Sequence, residues 1–156
     1  LAGQRRSAVG PGDAALILEL YLAYGTRFAA MLNGAFLIAI WDRRTRTLTL
    51  ANDRLGLHPA YYAEVRGGLL FGSGLRALLG EAGIRRRIDA VAVAGFLNFD
   101  HPLGPRSFLQ DVHLLPQGTI LTAREGRLRL RSYWPPTLPR ADPGGEGAWP
   151  GRGGRG

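Results

Sequence analysis

The fold class predicted by the sequence is α+β, built on antiparallel hairpins, and three observations carry the prediction. The stretch from Asn33 to Tyr62 holds an apolar run, Ala35 to Trp41, then the alternation Thr45 to Leu50, then the aromatic pair Tyr61-Tyr62. Short apolar runs and period-two alternation between turn signals are strand signatures. Two apolar segments, each opened by an aspartate (Asp13 and Asp89), lie on either side of that stretch and read as helices. Glycine-bearing turns, Arg66-Gly67-Gly68 and Glu125-Gly126, join further strand-like runs over connections too short for a parallel crossover.

Taken in order, residues Leu1 to Gly12 form a polar, glycine-rich leader with no pattern that buries a face. Asp13 then stands as N-cap before A-A-L-I-L-E-L-Y-L-A-Y, with Gly25 as the stop. Ile17, Leu20, Tyr21 and Tyr24 make one stripe, and Leu16, Leu18 and Leu22 widen it, so little of this helix is expected to face water. A short helix over Phe28 to Leu32 leads into the hairpin. Ala35 to Trp41 reads as a strand buried on both faces at the centre of a sheet. Thr45 to Leu50 pairs with it across Asp42-Arg43-Arg44, and Asp53-Arg54-Leu55-Gly56 breaks the pattern. Ala60 to Val65 and Leu69 to Phe71 form a second hairpin, and Leu75 to Leu79 a short helix. Asp89 caps a helix over Ala90 to Phe99, with Val91, Ala94 or Gly95, and Asn98 at its spacing, and His101-Pro102 ends it. Thr119 to Thr122 and Leu128 to Ser132 are the last strands. From Pro135 to Gly156 the composition collapses to Pro, Gly and Arg, a tail expected to be disordered.

Composition narrows the function classes. The 156 residues contain no cysteine, which removes disulfides, thiolate metal sites and a cysteine nucleophile from these residues. The formal net charge of +8 invites a nucleic-acid reading, yet all twenty basic residues are arginine and they are scattered, with Arg85-Arg86-Arg87 as the one run. Specific nucleic-acid binding is therefore not expected. No apolar run approaches the length of a membrane span and no leader resembles a signal peptide, so a cytoplasmic chain without a membrane partner is expected. His58, His101 and His113 are too far apart in sequence to suggest a metal site. The run G-G-L-L-F-G-S-G fits neither phosphate-binding fingerprint, and there is no lysine to reach a phosphate.

Several blocks together carry a resemblance. Leu32, Gly34, Phe36, Ala39 and Asp42 match L-x-G-x-F-x-x-A-x-x-D, and Asp53, Gly56, Pro59, Tyr61 and Tyr62 match R-D-x-x-G-x-x-P-L-Y-Y. Phe71, Ser73, Ala77, Leu78 and Leu79 match F-A-S-E-x-K-A-L-L, and Ile88, Asp89, Val93, Phe96 and Leu97 match I-D-x-x-A-L-x-x-Y-L. Phe108, Val112, Leu115, Pro116, Gly118 and Leu121 follow, and then Tyr133-Trp134. In this order the blocks resemble the class II glutamine amidotransferase domain of the asparagine synthetase family. The departures are Asn52 for a usual arginine, His58 for lysine, Ala60 for leucine, Gly74 for glutamate and Arg76 for lysine.

The resemblance implies an N-terminal-nucleophile-hydrolase-like four-layer αββα sandwich over residues 13–134, incomplete at its N-terminus. In that family an N-terminal cysteine attacks the glutamine amide, and an aspartate at the helix start contacts the α-amino group of glutamine. Asp13 occupies that place, as a substrate-binding residue in the family's terms and as a plain helix cap in local terms. The cysteine, a substrate-binding arginine and an N-G-E segment belong to a region before this helix, and no catalytic residue is assigned within the chain. The resemblance further implies glutamine as the partner of the intact parent, and an absent C-terminal synthetase domain that uses ATP and Mg²⁺, with no cofactor in this chain. Two functions follow as expectations. One is a part of a glutamine-hydrolysing asparagine synthase; the alternative is a non-catalytic scaffold domain of a cysteine-free relative, of the β-lactam synthetase or lasso-peptide cyclase type.

Overall fold

The computed structural model describes residues 11–81 and 83–134. Most of the expected leader and the whole of the expected tail from 135 lie outside the described residues. Helix α1 spans Pro11–Tyr24, and a 3₁₀ turn, Gly25–Arg27, leads directly into α2, Phe28–Met31. The strands are β1 Leu37–Asp42, β2 Thr47–Asn52, β3 Tyr61–Val65, β4 Gly68–Gly72, β5 His113–Leu114, β6 Thr119–Arg124 and β7 Arg127–Ser132. Helices α3, Leu75–Leu79, and α4, Ala90–Phe99, lie between β4 and β5 in the chain.

All strand pairings are antiparallel, in two sheets of order β1-β2-β6-β7 and β4-β3-β5. The expected α+β class with antiparallel sheets is what forms. Alternation sorts the side chains. On β2, Leu48 and Leu50 face the second sheet and meet Ala60, Tyr62, Leu115 and Leu121 in one buried cluster. The opposite face of the first sheet gives Ala51 and Ile120, covered by Phe28 and Ala29 of α2 and by Ile17, Leu20 and Tyr21 of α1. The far face of the second sheet gives Ala63, packed against Leu78 of α3 with Ile84, Leu109 and Val112.

Several expectations are corrected. Ala35 to Trp41 is not a central strand: β1 pairs only with β2 and is the edge of its sheet, with Ala39 and Trp41 exposed and the rest half-buried. A continuous apolar run signals burial but not sheet position, because Ile38 and Ile40 meet the helices while Leu37 meets the other sheet. Helix α1 is not largely shielded. Leu16, Leu18 and Leu22 are exposed, Leu22 by 74%, because a single sheet face lies beneath it and takes only the Ile17, Leu20, Tyr21 stripe. Because the 3₁₀ turn links α1 to α2, Gly12–Met31 is a 20-residue helical segment apolar enough, by length and composition, to cross a membrane. The sequence reading broke it at Gly25. Its inner residues are taken up by the sheet, with Phe28 and Ala29 fully buried.

One polar constellation ties the first sheet together. Asn52, 1% exposed, donates from Nδ2 to the carbonyls of Leu115 (3.3 Å) and Pro116 (2.9 Å), and its Oδ1 accepts from the Thr119 amide at 3.0 Å. The Tyr133 hydroxyl donates to the Asn52 carbonyl at 2.6 Å. Gly118, at φ +57°, lets Trp134 pass so close that a Cβ there would stand 2.9 Å from the tryptophan Cβ. Asn52→Ala would strand two carbonyls and one amide in the interior. It is expected to cost about 2–4 kcal/mol in a denaturant titration with an unchanged m-value. A loss under 1 kcal/mol would show that water replaces the amide.

Candidate functional site: the cleft between the sheets

The edge strands β1 and β4 come together at one side of the two sheets. Between them opens a cleft of about 240 Å³ lined by Leu37, Ala39, Leu50, Ala60, Phe71, Gly72 and Ser73. The alternation of β1 and β2 places Leu37, Ala39 and Leu50 on its wall, while Phe71, Gly72 and Ser73 close it from β4 and the turn after it. Gly72 belongs there on packing grounds, since a Cβ at this position would stand 3.1 Å from Leu78 Cδ1. The lining is apolar apart from the Ser73 hydroxyl and backbone groups. Such a cleft can hold the apolar stem of a ligand, while polar recognition must come from its rim.

The loop that follows β2 stands on Asp53. This carboxylate is 2% exposed and accepts from the amides of Leu55 (3.0 Å), Leu57 (3.1 Å) and Phe36 (3.3 Å). Burial pushes its pKa up, but the amides of Leu57, Leu55, Phe36 and Gly56 outweigh that and hold it below the ordinary carboxylate value. The same residue's carbonyl accepts from Gly118 at 2.9 Å and its amide donates to Phe36 at 3.0 Å. Asp53 thereby fixes the approach to β1 and the exit of β2 together. Arg54, next in the chain, donates to the Ala30 carbonyl at 3.1 Å and lies 4.4 Å from the centre of the Trp134 ring.

Asp13 is not at the cleft. It sits inside the first turn of α1, whose Ile17, Leu20 and Tyr21 pack on the opposite face of the first sheet. Nor is it the N-cap, because the helix already begins at Pro11. Proline at the first helical position has its φ pre-set and needs no amide partner, so the helix starts two residues earlier than a cap signal suggests. A first-turn carboxylate still complements the helix dipole. Asp89, by contrast, is a true N-cap, accepting from Val91 (3.0 Å) and Ala92 (3.1 Å) and pairing with Arg106 at 2.7 Å. The Ala92 amide, the Arg106 guanidinium and the Val91 amide together hold its pKa below the ordinary value against the opposing effect of burial.

The histidines do not converge. His101 places Nδ1 2.7 Å from the Phe99 carbonyl, and the His113 ring meets Tyr62 at a tilt, with ring centres 5.4 Å apart. Among the described residues no three His, Asp or Glu side chains are grouped to hold a metal. A second, polar depression of about 240 Å³ runs along the outer side of β3, where Glu64, Arg66, Arg85, Asp111 and His113 meet. Its ion pair is closed on itself, Arg85 Nε to Asp111 Oδ2 at 2.8 Å. Sequence reasoning missed the Asn52–Asp53 hub, treating Asn52 as a departure from the family pattern. The available signal was two adjacent polar residues ending an alternating strand, a place where buried polar groups need internal partners.

Comparison with known proteins agrees with this architecture. A family model described as a glutamine amidotransferase domain matches residues 1–134. The chain is 27% identical over 123 residues, 78% of its length and 20% of the relative's, to asparagine synthetase [glutamine-hydrolyzing] 3 of Bacillus subtilis. It is 29% identical over 127 residues to amidase chyE of Penicillium rubens, covering 81% of this chain and 18% of that protein. To a putative asparagine synthetase [glutamine-hydrolyzing] of Mycobacterium tuberculosis it is 30% identical over 120 residues, 75% of this chain and 18% of the other. The chain spans about a fifth of the length of these curated relatives. With its two antiparallel sheets, the cleft between their edges and a match running through Tyr133-Trp134, the chain belongs to the glutamine amidotransferase domain family.

Proposed function

We propose that this chain is the amidotransferase-side portion of a glutamine-hydrolysing, asparagine synthetase-like enzyme. The observation that carries the reading is the apolar cleft open between two edge strands of a sheet pair, in a chain matched over residues 1–134 by the amidotransferase model. The layering supports the finer fold as well: α1 and α2, a sheet, the shared core, a second sheet and α3 follow one another as in a four-layer αββα sandwich of the N-terminal-nucleophile hydrolases. In this reading glutamine is the substrate of the whole enzyme. Its amide carbonyl is attacked by a cysteine supplied from outside these 156 residues, since they hold none. The tetrahedral oxyanion then needs preorganised donors, and hydrolysis of the thioester releases ammonia.

The proposal keeps Asp13 as the residue that holds the α-amino group of glutamine in the whole enzyme, although α1 packs on the sheet face away from the cleft. ATP and Mg²⁺ belong to a second domain in this reading. Ammonia release from glutamine tests the assignment. The 156-residue chain is expected to release none above background, and the same chain extended by its upstream coding segment to release it if that segment supplies a cysteine. In the extended protein Asp13→Ala is expected to raise KM roughly ten- to hundredfold with little change in kcat, because a charge-assisted hydrogen bond to the α-amine is made equally in ground and transition states. A folded, cysteine-bearing extension that releases no ammonia would sink the reading. An upstream segment without cysteine would favour the scaffold alternative.

A further inference from the structure

The positive charge that looks scattered along the sequence is gathered by the register of the first sheet. Strand β7 reads Arg-Leu-Arg-Leu-Arg-Ser over Arg127–Ser132, so Arg127, Arg129 and Arg131 share one face and Leu128 and Leu130 the other. Pairing with β6 sets Arg127 opposite Arg124, Arg129 opposite Thr122 and Arg131 opposite Ile120. Ile120 faces α1 and α2, so the arginines stand on that side of the sheet, at the margin the helices leave open, and all four are exposed. Like charges directly opposite each other destabilise a strand pair, yet Arg124 and Arg127 are placed in that way. Glu125, 3.5 Å from Arg124, is the one acidic partner of the four among the described residues. The β1–β2 turn adds exposed Arg43, Arg44 and Arg46 at the same end of the sheet, where Thr47 is in register with Arg124.

Strand β7 also has an open hydrogen-bonding edge. It closes the order β1-β2-β6-β7 and pairs with β6 alone. Its turn from β6 has two residues, Glu125 at φ +51° and Gly126 at φ +72°. In such a turn the closing pair, here Arg124 and Arg127, exchanges the ladder bonds. Alternation gives Arg129 and Arg131 the same inward role and turns the amides and carbonyls of Leu128, Leu130 and Ser132 outward. The Tyr133 amide, 2.8 Å from the Gly118 carbonyl, keeps that alternation to the end of the strand. Among the described residues no strand takes up the outward groups. Leu128 packs on the core between the sheets, while Leu130 beside it is 45% exposed.

We propose that β7 is a docking edge for an extended acidic segment of a partner protein, which adds as a further antiparallel strand and alternates acidic with apolar residues. The backbone of that segment bonds to Leu128, Leu130 and Ser132. Its carboxylates then stand opposite Arg127, Arg129 and Arg131 in the non-hydrogen-bonded pairs, where side chains approach most closely and an arginine fork can take a carboxylate bidentately. Its apolar residues cover Leu130 and extend the core that Leu128 already joins. A second copy of this chain is a poor occupant, because two β7 edges set arginine against arginine. A nucleic-acid backbone meets the arginines but leaves the outward carbonyls and Leu130 unused. Charge on an edge also discourages aggregation, but that role does not call for two arginines set against each other. The inference does not depend on the glutamine reading.

Fluorescence anisotropy tests it, with the whole 156-residue chain and a labelled peptide of alternating glutamate and valine at physiological salt. Binding with a Kd on the order of 10 µM is expected, as for a small transient interface. Scrambling the peptide so that its glutamates lose the period of two should weaken binding about tenfold. N-methylating its valine amides, which face β7, should do the same without any change to the protein. Arg129→Glu should weaken binding at least about tenfold, with thermal melting unchanged because the side chain is exposed. Arg66→Glu, exposed in the β3–β4 turn of the other sheet, should bind as wild type does. No binding at about 1 mM peptide overturns the proposal. So does equal binding of the scrambled or the N-methylated peptide, which leaves only diffuse charge attraction. A single-stranded oligonucleotide that binds through Arg129 more tightly than the alternating peptide, at the same salt, overturns it too and assigns the arginines to nucleic acid.

Discussion

Replacing Asp53 by alanine is expected to lower the free energy of unfolding by about 3–5 kcal/mol at pH 7. The substitution leaves the amides of Phe36, Leu55 and Leu57 without their acceptor, and the carboxylate they share is almost wholly buried. Each stranded donor loses a charge-assisted hydrogen bond in a part-buried setting. The loop joining β2 to β3 and the start of β1 should loosen together, because the same residue also bonds to the Phe36 carbonyl and the Gly118 amide through its backbone. Asp53→Asn should cost less, as its one carbonyl oxygen can keep part of the set.

The pH dependence follows from the direction of the shift. Asp53 titrates below the ordinary value of 3.8 in the folded chain, so the unfolded chain binds its proton first as the pH falls. The stabilisation is complete above the ordinary value and is lost as the pH falls through the lower, folded-state one. Asp89 is shifted the same way, by the Ala92 amide first and then Arg106, and Asp42 by the amide and hydroxyl of Thr45. All three therefore draw on the same acid window. Urea titrations at pH 7, 4, 3 and 2 should show the gap between wild type and Asp53→Ala narrowing below about pH 4. A gap constant across that range would mean that the carboxylate does not act as an ionised acceptor.

Phe28→Ala is expected to cost about 3–5 kcal/mol. Phe28 is completely buried and is among the largest side chains that are, although it belongs to a helix of four residues. It fills the space between α1 and the first sheet, edge to face with Tyr21 at 5.9 Å and against Ala51 and Ile120. Its neighbours are held by the sheet and by α1, so a cavity term is expected to add to the lost transfer energy. Phe28→Leu should recover most of the loss. Thermal melting with equal protein concentrations checks both. If Phe28→Ala melts within a few degrees of wild type, α1 and α2 contribute little to the folded core.

Much of the architecture was legible because it is local. Alternation at Thr45 to Leu50, the glycine turn at Arg66-Gly67-Gly68 and the Asp89 cap each act through neighbours in the chain, and each produced the expected element. Helix α4 appears with the bounds Ala90–Phe99, and the hairpins at β1–β2, β3–β4 and β6–β7 pair as adjacent runs should. The family, too, was readable, since its blocks depend on residue order and spacing alone.

Position within the fold was not. An apolar run describes a strand's two faces but says nothing of its neighbours along the hydrogen-bonding direction, so β1 could be an edge while reading as a centre. Which face of α4 turns inward, that of Ala92 and Gly95, was set by its packing in the fold, and which leucines of α1 stay dry depended on having a single sheet beneath them. Asn52 and Asp53 became a hub only when residues 36, 115, 116 and 119 arrived beside them, 17 to 67 positions away in sequence. Local propensity and order determined the elements and the family. Burial, edge position and polar satisfaction were decided by long-range contacts, whose energies exist only once the two sheets have closed on each other.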